Sequence, residues 1–180
     1  MHALKPSKLN LIKLTLWVVI ILSSSAILYH TRWLIPYLLN AVDYKIPNGQ
    51  SPLIWFITQI GANLIFLYVG FLLLRLFKNY QKQGYFEKDN LKIFDYVMFS
   101  CLGLALLTIV RLAFSNFYFL SLENYISIKG MLNLFALLII DTLTFKEPQT
   151  MYILLAFIMW VVKQFVTKAL SFKHENEAFI

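Results

Sequence analysis

Charge is what this sequence has least of. Only 14% of its 180 residues are charged, beside 59% hydrophobic and 17% aromatic, whereas a soluble domain carries about 25% charged residues. A water-soluble fold with a charged shell is excluded. Acids are the scarcer sign, nine Asp and Glu against 16 Lys and Arg for a net charge of +7. In a soluble chain that excess would point to nucleic acid. Here the Lys and Arg sit at the ends of apolar blocks, where they orient a chain in a bilayer, so no direct nucleic-acid binding is expected. The single cysteine, Cys101, excludes an internal disulfide and reads as a small packing residue. His2, His30 and His174 are too scattered for a metal site. There is no Gly-rich phosphate loop and no nucleophile elbow, and Asp43, Glu123, Asp141 and Glu147 lack the spacing of an acid/base pair. No catalytic residue, cofactor or metal ligand is indicated, and an enzyme is not the expectation.

What is present is a set of four apolar blocks, near residues 14–31, 52–74, 93–114 and 149–162. A hydrocarbon core about 30 Å thick needs roughly 20 mostly apolar residues of helix, and Pro52 to Leu74 supplies that length without a charged side chain. The expected architecture is one all-α membrane domain over 1–180, a four-transmembrane-helix bundle with spans at about 12–32, 52–75, 92–114 and 149–170. Lys5, Lys8 and Lys13 ahead of the first block, and the Ser23-Ser24-Ser25-Ala26 run inside it, resemble a signal peptide. Because the apolar run continues through Tyr29 and further spans follow, an uncleaved signal anchor is the better reading.

Charge orients the four spans. With the N-terminus inside, the inner Lys and Arg are Lys5, Lys8, Lys13, Arg75, Lys78, Lys82, Lys88, Lys92, Lys163, Lys168 and Lys173, and the outer ones Arg32, Lys45, Arg111, Lys129 and Lys146. The imbalance predicts both termini in the cytoplasm, a cytoplasmic loop at 76–91 and a cytoplasmic tail at 171–180.

The external segments are then 33–51 and 115–148. Pro36, Pro47 and the Asn48-Gly49 turn signal are expected to break any long helix in the first. In the second, Met131 to Ile140 is apolar but too short to span, and extending it takes in Lys129 and Asp141. The expectation is a small external cap, with Tyr125 to Gly130 alternating like a short strand and the following run at the interface or against the bundle. Tyr29, Trp33, Tyr37, Tyr44, Trp55, Phe117, Tyr118 and Tyr125 read first as an aromatic belt at headgroup level, second as a ligand pocket.

Polar residues inside the spans should face other helices or a cavity, because hydrocarbon offers no hydrogen bonds. Ser24, Gln59, Asn63, Asp95 and Ser100 are the candidates. Gln59, Asn63 and Gly70 share one face of their helix, and Ser100, Gly103, Leu107 and Arg111 form a similar stripe on the next. Bonds across helices at roughly 1 kcal/mol each are the plainer expectation, a polar substrate path the sharper one. Asp95 is placed to pair with Lys92, three residues earlier, and Arg111 to snorkel toward external headgroups.

At the inner side, Gly84 suits a helix stop and Phe86-Glu87-Lys88-Asp89-Asn90 opens the next helix with acids in its first turn. The chain closes on Glu175, Glu177 and Ile180. These two pieces resemble the bacterial membrane family of domain of unknown function 2975. That family carries a Gly, an aromatic, a capping residue and an acid-Asn pair before the third of four spans, matched by Gly84, Phe86, Asp89 and Asn90, and a Glu-rich end closing in Ile. This sequence departs at Glu87 and Phe179, where a Ser or Thr and a Thr are usual, and at Ala169, where a Gly is usual. The resemblance implies location in the bacterial cytoplasmic membrane and a regulatory role, modulating a small cytoplasmic helix-turn-helix regulator. Lys78, Lys82, Gly84, Phe86, Asp89, Asn90, Glu175, Glu177 and Ile180 would form the partner surface. A small transporter or ligand-binding bundle is the alternative. The bilayer is the certain partner of such a chain, and homo-oligomers remain compatible with it.

Overall fold

The computed structural model describes residues 6–44, 51–83, 88–119, 127–143 and 148–177. Among them the regular structure is entirely α-helical: α1 Pro6–Leu38, α2 Pro52–Gln83, α3 Lys88–Phe119, α4 Ile128–Leu143 and α5 Pro148–Glu177. Four of these helices are long and apolar enough to cross a membrane, over Asn10–Leu38, Pro52–Gln81, Asn90–Phe114 and Pro148–Phe172. The chain is a multi-pass membrane protein. At 1.5 Å per residue the four helices are roughly 45–50 Å long, about 15 Å more than the hydrocarbon they cross. Their flanks bear large apolar side chains that no helix covers, among them Leu14, Ile21, Leu64, Phe99, Leu106, Phe157 and Phe165. In lipid such a surface needs no protein partner.

The helices run alternately up and down, and the pairings keep a constant register. A Cβ on Gly70 would meet Ile20 of α1, a Cβ on Gly61 would meet Leu107 of α3, and one on Gly103 would meet Ile65 of α2. Those glycines let the backbones approach closely. Farther along, Asn79 meets Asn90 across α2 and α3, and Asp95 meets Lys163 across α3 and α5. The extensive contacts are α1–α2, α2–α3 and α3–α5, while α1 and α5 share no extensive contact. Among the described residues the spanning helices therefore pack in the order α1, α2, α3, α5. Its core lies where α2, α3 and α5 meet: Leu72, Ile93, Val97, Cys101 and Ala156, with Val69, Leu73, Leu76, Met98 and Met159 packed around them. Cys101 is indeed a buried packing residue.

This topology puts the start of α1, the end of α2, the start of α3 and the end of α5 together. Lys13, Arg75, Lys78, Lys92, Lys163 and Lys168 all belong to this basic end. The opposite end gathers the end of α1, the starts of α2 and α5, the end of α3, and α4.

Two local expectations are corrected there. Pro36 does not keep a helix from forming beyond Trp33, since α1 continues through it to Leu38. The proline stands in the last turn, where the carbonyl it leaves without a donor is close to being unpaired anyway. The stop comes at Asn40, whose φ of 53° is left-handed. Its N–H donates to the Tyr37 carbonyl and that of Ala41 to the Pro36 carbonyl, the double closure of a Schellman ending. Pro47, Asn48 and Gly49 lie outside the described residues.

The strand expected at Tyr125 to Gly130 gives way to helix from Ile128 onward, with Tyr125 and Ile126 outside the described residues. Ser127 explains the difference. Its Oγ accepts from the Gly130 N–H at 3.1 Å, the bond of a helix N-cap, and its carbonyl accepts from Met131. With 16 residues α4 is about 24 Å long, short of a crossing. It touches α3 and α5 lightly and leaves Ile128, Met131, Leu132 and Phe135 exposed.

Candidate functional site: the two polar ends

Inside the spans most short polar side chains turn back on their own helix. Ser24, Thr58, Asn63, Ser100 and Thr108 each donate to the carbonyl four residues earlier, at 2.7–2.9 Å. This satisfies the donor without a neighbour. The expected bonds across helices from Ser24, Asn63 and Ser100 are therefore not what their donors make.

Between described residues, polar pairs that cross from helix to helix are found at the basic end. Lys163 Nζ donates to both carboxylate oxygens of Asp95, at 2.6 and 2.8 Å. The pair is part-buried, with side chains 27% and 32% exposed for Lys163 and Asp95. Asp95 thus takes its partner from α5 and not from Lys92, which is exposed. A charge inside a span costs least beside an opposite one, so each residue accounts for the other's place in an apolar segment. Asn79 Nδ2 donates to Asn90 Oδ1 at 3.1 Å. Asn90 has no exposed surface, and its amide serves the α2–α3 junction, out of reach of a partner.

The other candidates at this end divide. Lys78 and Glu175 are exposed, as are Arg75 and Lys168. The amine of Lys168 lies 5.9 Å from the centre of the Phe172 ring, a cation–π contact along α5. Lys82, Asp89 and Glu177 lie on helix backbone, but their side chains are outside the described set. Gly84, Phe86 and Ile180 lie outside the described residues altogether.

At the opposite end the aromatic residues of α1 and α2 make a packed cluster around Phe56, which is fully buried. The rings of His30, Tyr37, Tyr44 and Trp55 lie 5.1–6.5 Å from it, mostly edge to face or tilted. Trp33 adds to it through Tyr44. Phe56 fills the centre, so the cluster is a packed aromatic plug. Tyr29 is exposed and touches His30 edge-on, as a belt residue would. Tyr125 and the side chains of Phe117 and Tyr118 are outside the described set.

Beside this plug a cleft of about 210 Å³ opens between α2, α3 and α5. Thr58, Gln59, Ala62, Asn63 and Phe66 form one wall, Leu107, Thr108 and Arg111 a second, Pro148 and Tyr152 a third. The structure thus brings Gln59, Asn63 and Arg111 together, and leaves Ser24, Asp95 and Ser100 elsewhere. Gly70, on the same face of α2 as Gln59 and Asn63, packs on Ile20 of α1 instead. Sequence reading missed Lys163 as the mate of Asp95, and Thr58, Thr108 and Tyr152 as neighbours of Asn63. The first had a signal: Asp95 is the lone acid of its span, and Lys163 is a base near the inner end of another.

No family model, curated protein or solved structure matches this chain. Among the described residues no group of His, Cys, Asp and Glu is placed to hold a metal ion.

Proposed function

We propose that this chain is a regulatory membrane protein of the bacterial cytoplasmic membrane, both termini inside, that binds and modulates a small helix-turn-helix regulator through its basic end. What supports the reading is the convergence of two segments distant in sequence, the α2–α3 junction and the end of α5. Both carry the motif residues that resemble the family of domain of unknown function 2975. Antiparallel packing fixed by the Asp95–Lys163 pair carries Glu175 about 18 Å along α5 beyond Lys163. That reach exceeds the roughly 8 Å from Asp95 back to Asn90, so the tail of α5 projects past Asn90. A folded partner would meet Arg75, Lys78 and Lys168 beside Glu175, a surface of mixed charge suited to steering and orienting it. The excess of positive charge at this end favours the cytoplasmic side for it.

The test is co-purification from membranes of a small DNA-binding protein encoded beside this chain. Removing Phe172 to Ile180, or combining Lys78→Glu, Lys82→Glu and Lys88→Glu, should lower capture at least tenfold while insertion is unchanged. Full capture by both variants contradicts the proposal.

A second reading, a ligand-binding membrane bundle, is favoured by the polar cleft at the opposite end. There Gln59→Leu or Asn63→Leu should alter ligand retention without loss of folding.

A further inference from the structure

We infer that the cleft between α2, α3 and α5 binds an oxyanion of phosphate type, presented as the headgroup of an anionic lipid or as a free anion. The inference rests on the ligand-binding reading of this cleft and not on the basic end. Arg111 is the decisive residue. It is half-buried in the cleft wall, three residues from the end of the apolar stretch of α3. Among the described residues no acid lines the cleft and Arg111 has no ion pair, in contrast to Lys163. A guanidinium offers five donors in a planar fork that matches phosphate.

The surrounding groups add donors. Asn63 uses its amide N–H on the Gln59 carbonyl, and the Gln59 side chain faces the same cleft without a bond of its own among the described residues. The Tyr152 ring leans on Phe66, 6.4 Å away, and places a phenol at the wall. Pro148, the first residue of α5, closes the third side. The positive end of that helix dipole therefore borders the cleft. Next to Pro148, the Gln149 side chain is fully buried, and neither its amide nitrogen nor its oxygen has a partner. A buried amide without bonds is costly, so this corner beside the cleft holds polar capacity that the described residues leave unused.

Size and depth fit a headgroup. The volume of about 210 Å³ accommodates a phosphate with a short substituent but not a whole lipid. By helical rise the lining extends from the end of the bundle, at Arg111 and Pro148, to Asn63, about 16 Å from Pro52. Acyl chains would continue along the uncovered apolar surface outside, where Leu64 and Leu106 are exposed.

The test uses the full chain in phosphatidylcholine nanodiscs with or without phosphatidylglycerol, with bound lipid counted by native mass spectrometry after gentle release. The wild type should retain phosphatidylglycerol, and Arg111→Gln should lower retention at least tenfold. Arg32→Gln, an exposed charge at the same end, should leave it unchanged. If Arg111→Gln does not fold, Arg111→Lys and Gln59→Leu take its place, with threefold or greater losses expected. Inorganic phosphate that displaces the lipid, or binds in its absence with the same Arg111 dependence, assigns the site to a free anion and supports the shared chemistry. Equal retention by wild type and the folded Arg111 and Gln59 variants overturns the inference.

Discussion

At the basic end, Asp95 is held by Lys163 and Asn90 by Asn79, each from a different helix, next to the densest part of the core. At the opposite end, Arg111, Gln59 and Gln149 have no such partners among the described residues, and they border or adjoin a cleft. Both ends are polar, yet they use polarity differently. Mutual pairing in the first case locks helices together, and what is left for another molecule is the exposed surface of Arg75, Lys78, Lys168 and Glu175. Unused hydrogen-bonding capacity in the second makes an interior recess. The helices between are scaffold, held by small residues and packing.

That contrast yields graded expectations. Phe56→Ala should produce the largest loss, about 3 kcal/mol, because it empties the centre of the aromatic plug and unseats α1 from α2. Reversible unfolding in mixed micelles measures it, and a loss below about 1 kcal/mol would mean the plug is ornamental. Asp95→Leu should cost roughly 2 kcal/mol, less than a fully buried pair because both side chains keep some solvent access. The exchanged pair, Asp95→Lys with Lys163→Asp, should recover much of that loss. If the exchange is no better than the single change, the two residues do not act through each other. Gly70→Ala should cost the least, about 1–2 kcal/mol: the added Cβ would stand 2.7 Å from Cγ1 of Ile20, a methylene borne on the branched Cβ that cannot swing aside freely. Adding Ile20→Ala should reverse part of the effect.

How far the sequence carried this picture depends on the interaction concerned. The four crossing helices were legible because span length and apolarity are properties of a contiguous segment. Ser127 and Pro36 misled for local reasons: alternation from Tyr125 concealed an N-cap, and a proline in a final turn breaks little. The partner of Asp95 was assigned to Lys92, the neighbour in sequence. Choosing Lys163 instead requires the antiparallel register of α3 and α5, which no single segment contains. Gln59, Asn63 and Arg111 were each singled out, but their meeting with Thr108 and Tyr152 depends on the rotation of three helices. Polar residues that bond back to their own carbonyls, as Ser24 and Ser100 do, show why a polar stripe alone does not identify a helix contact.

The two ends should lie on opposite sides of the membrane, with the cleft facing outward. In a Cys101→Ala background, single cysteines from Gln59→Cys and Lys168→Cys are exposed in intact cells to a membrane-impermeant thiol reagent. Gln59→Cys should be labelled without permeabilisation, and Lys168→Cys only after it. Labelling of both in intact cells, or the reverse order, would contradict the arrangement.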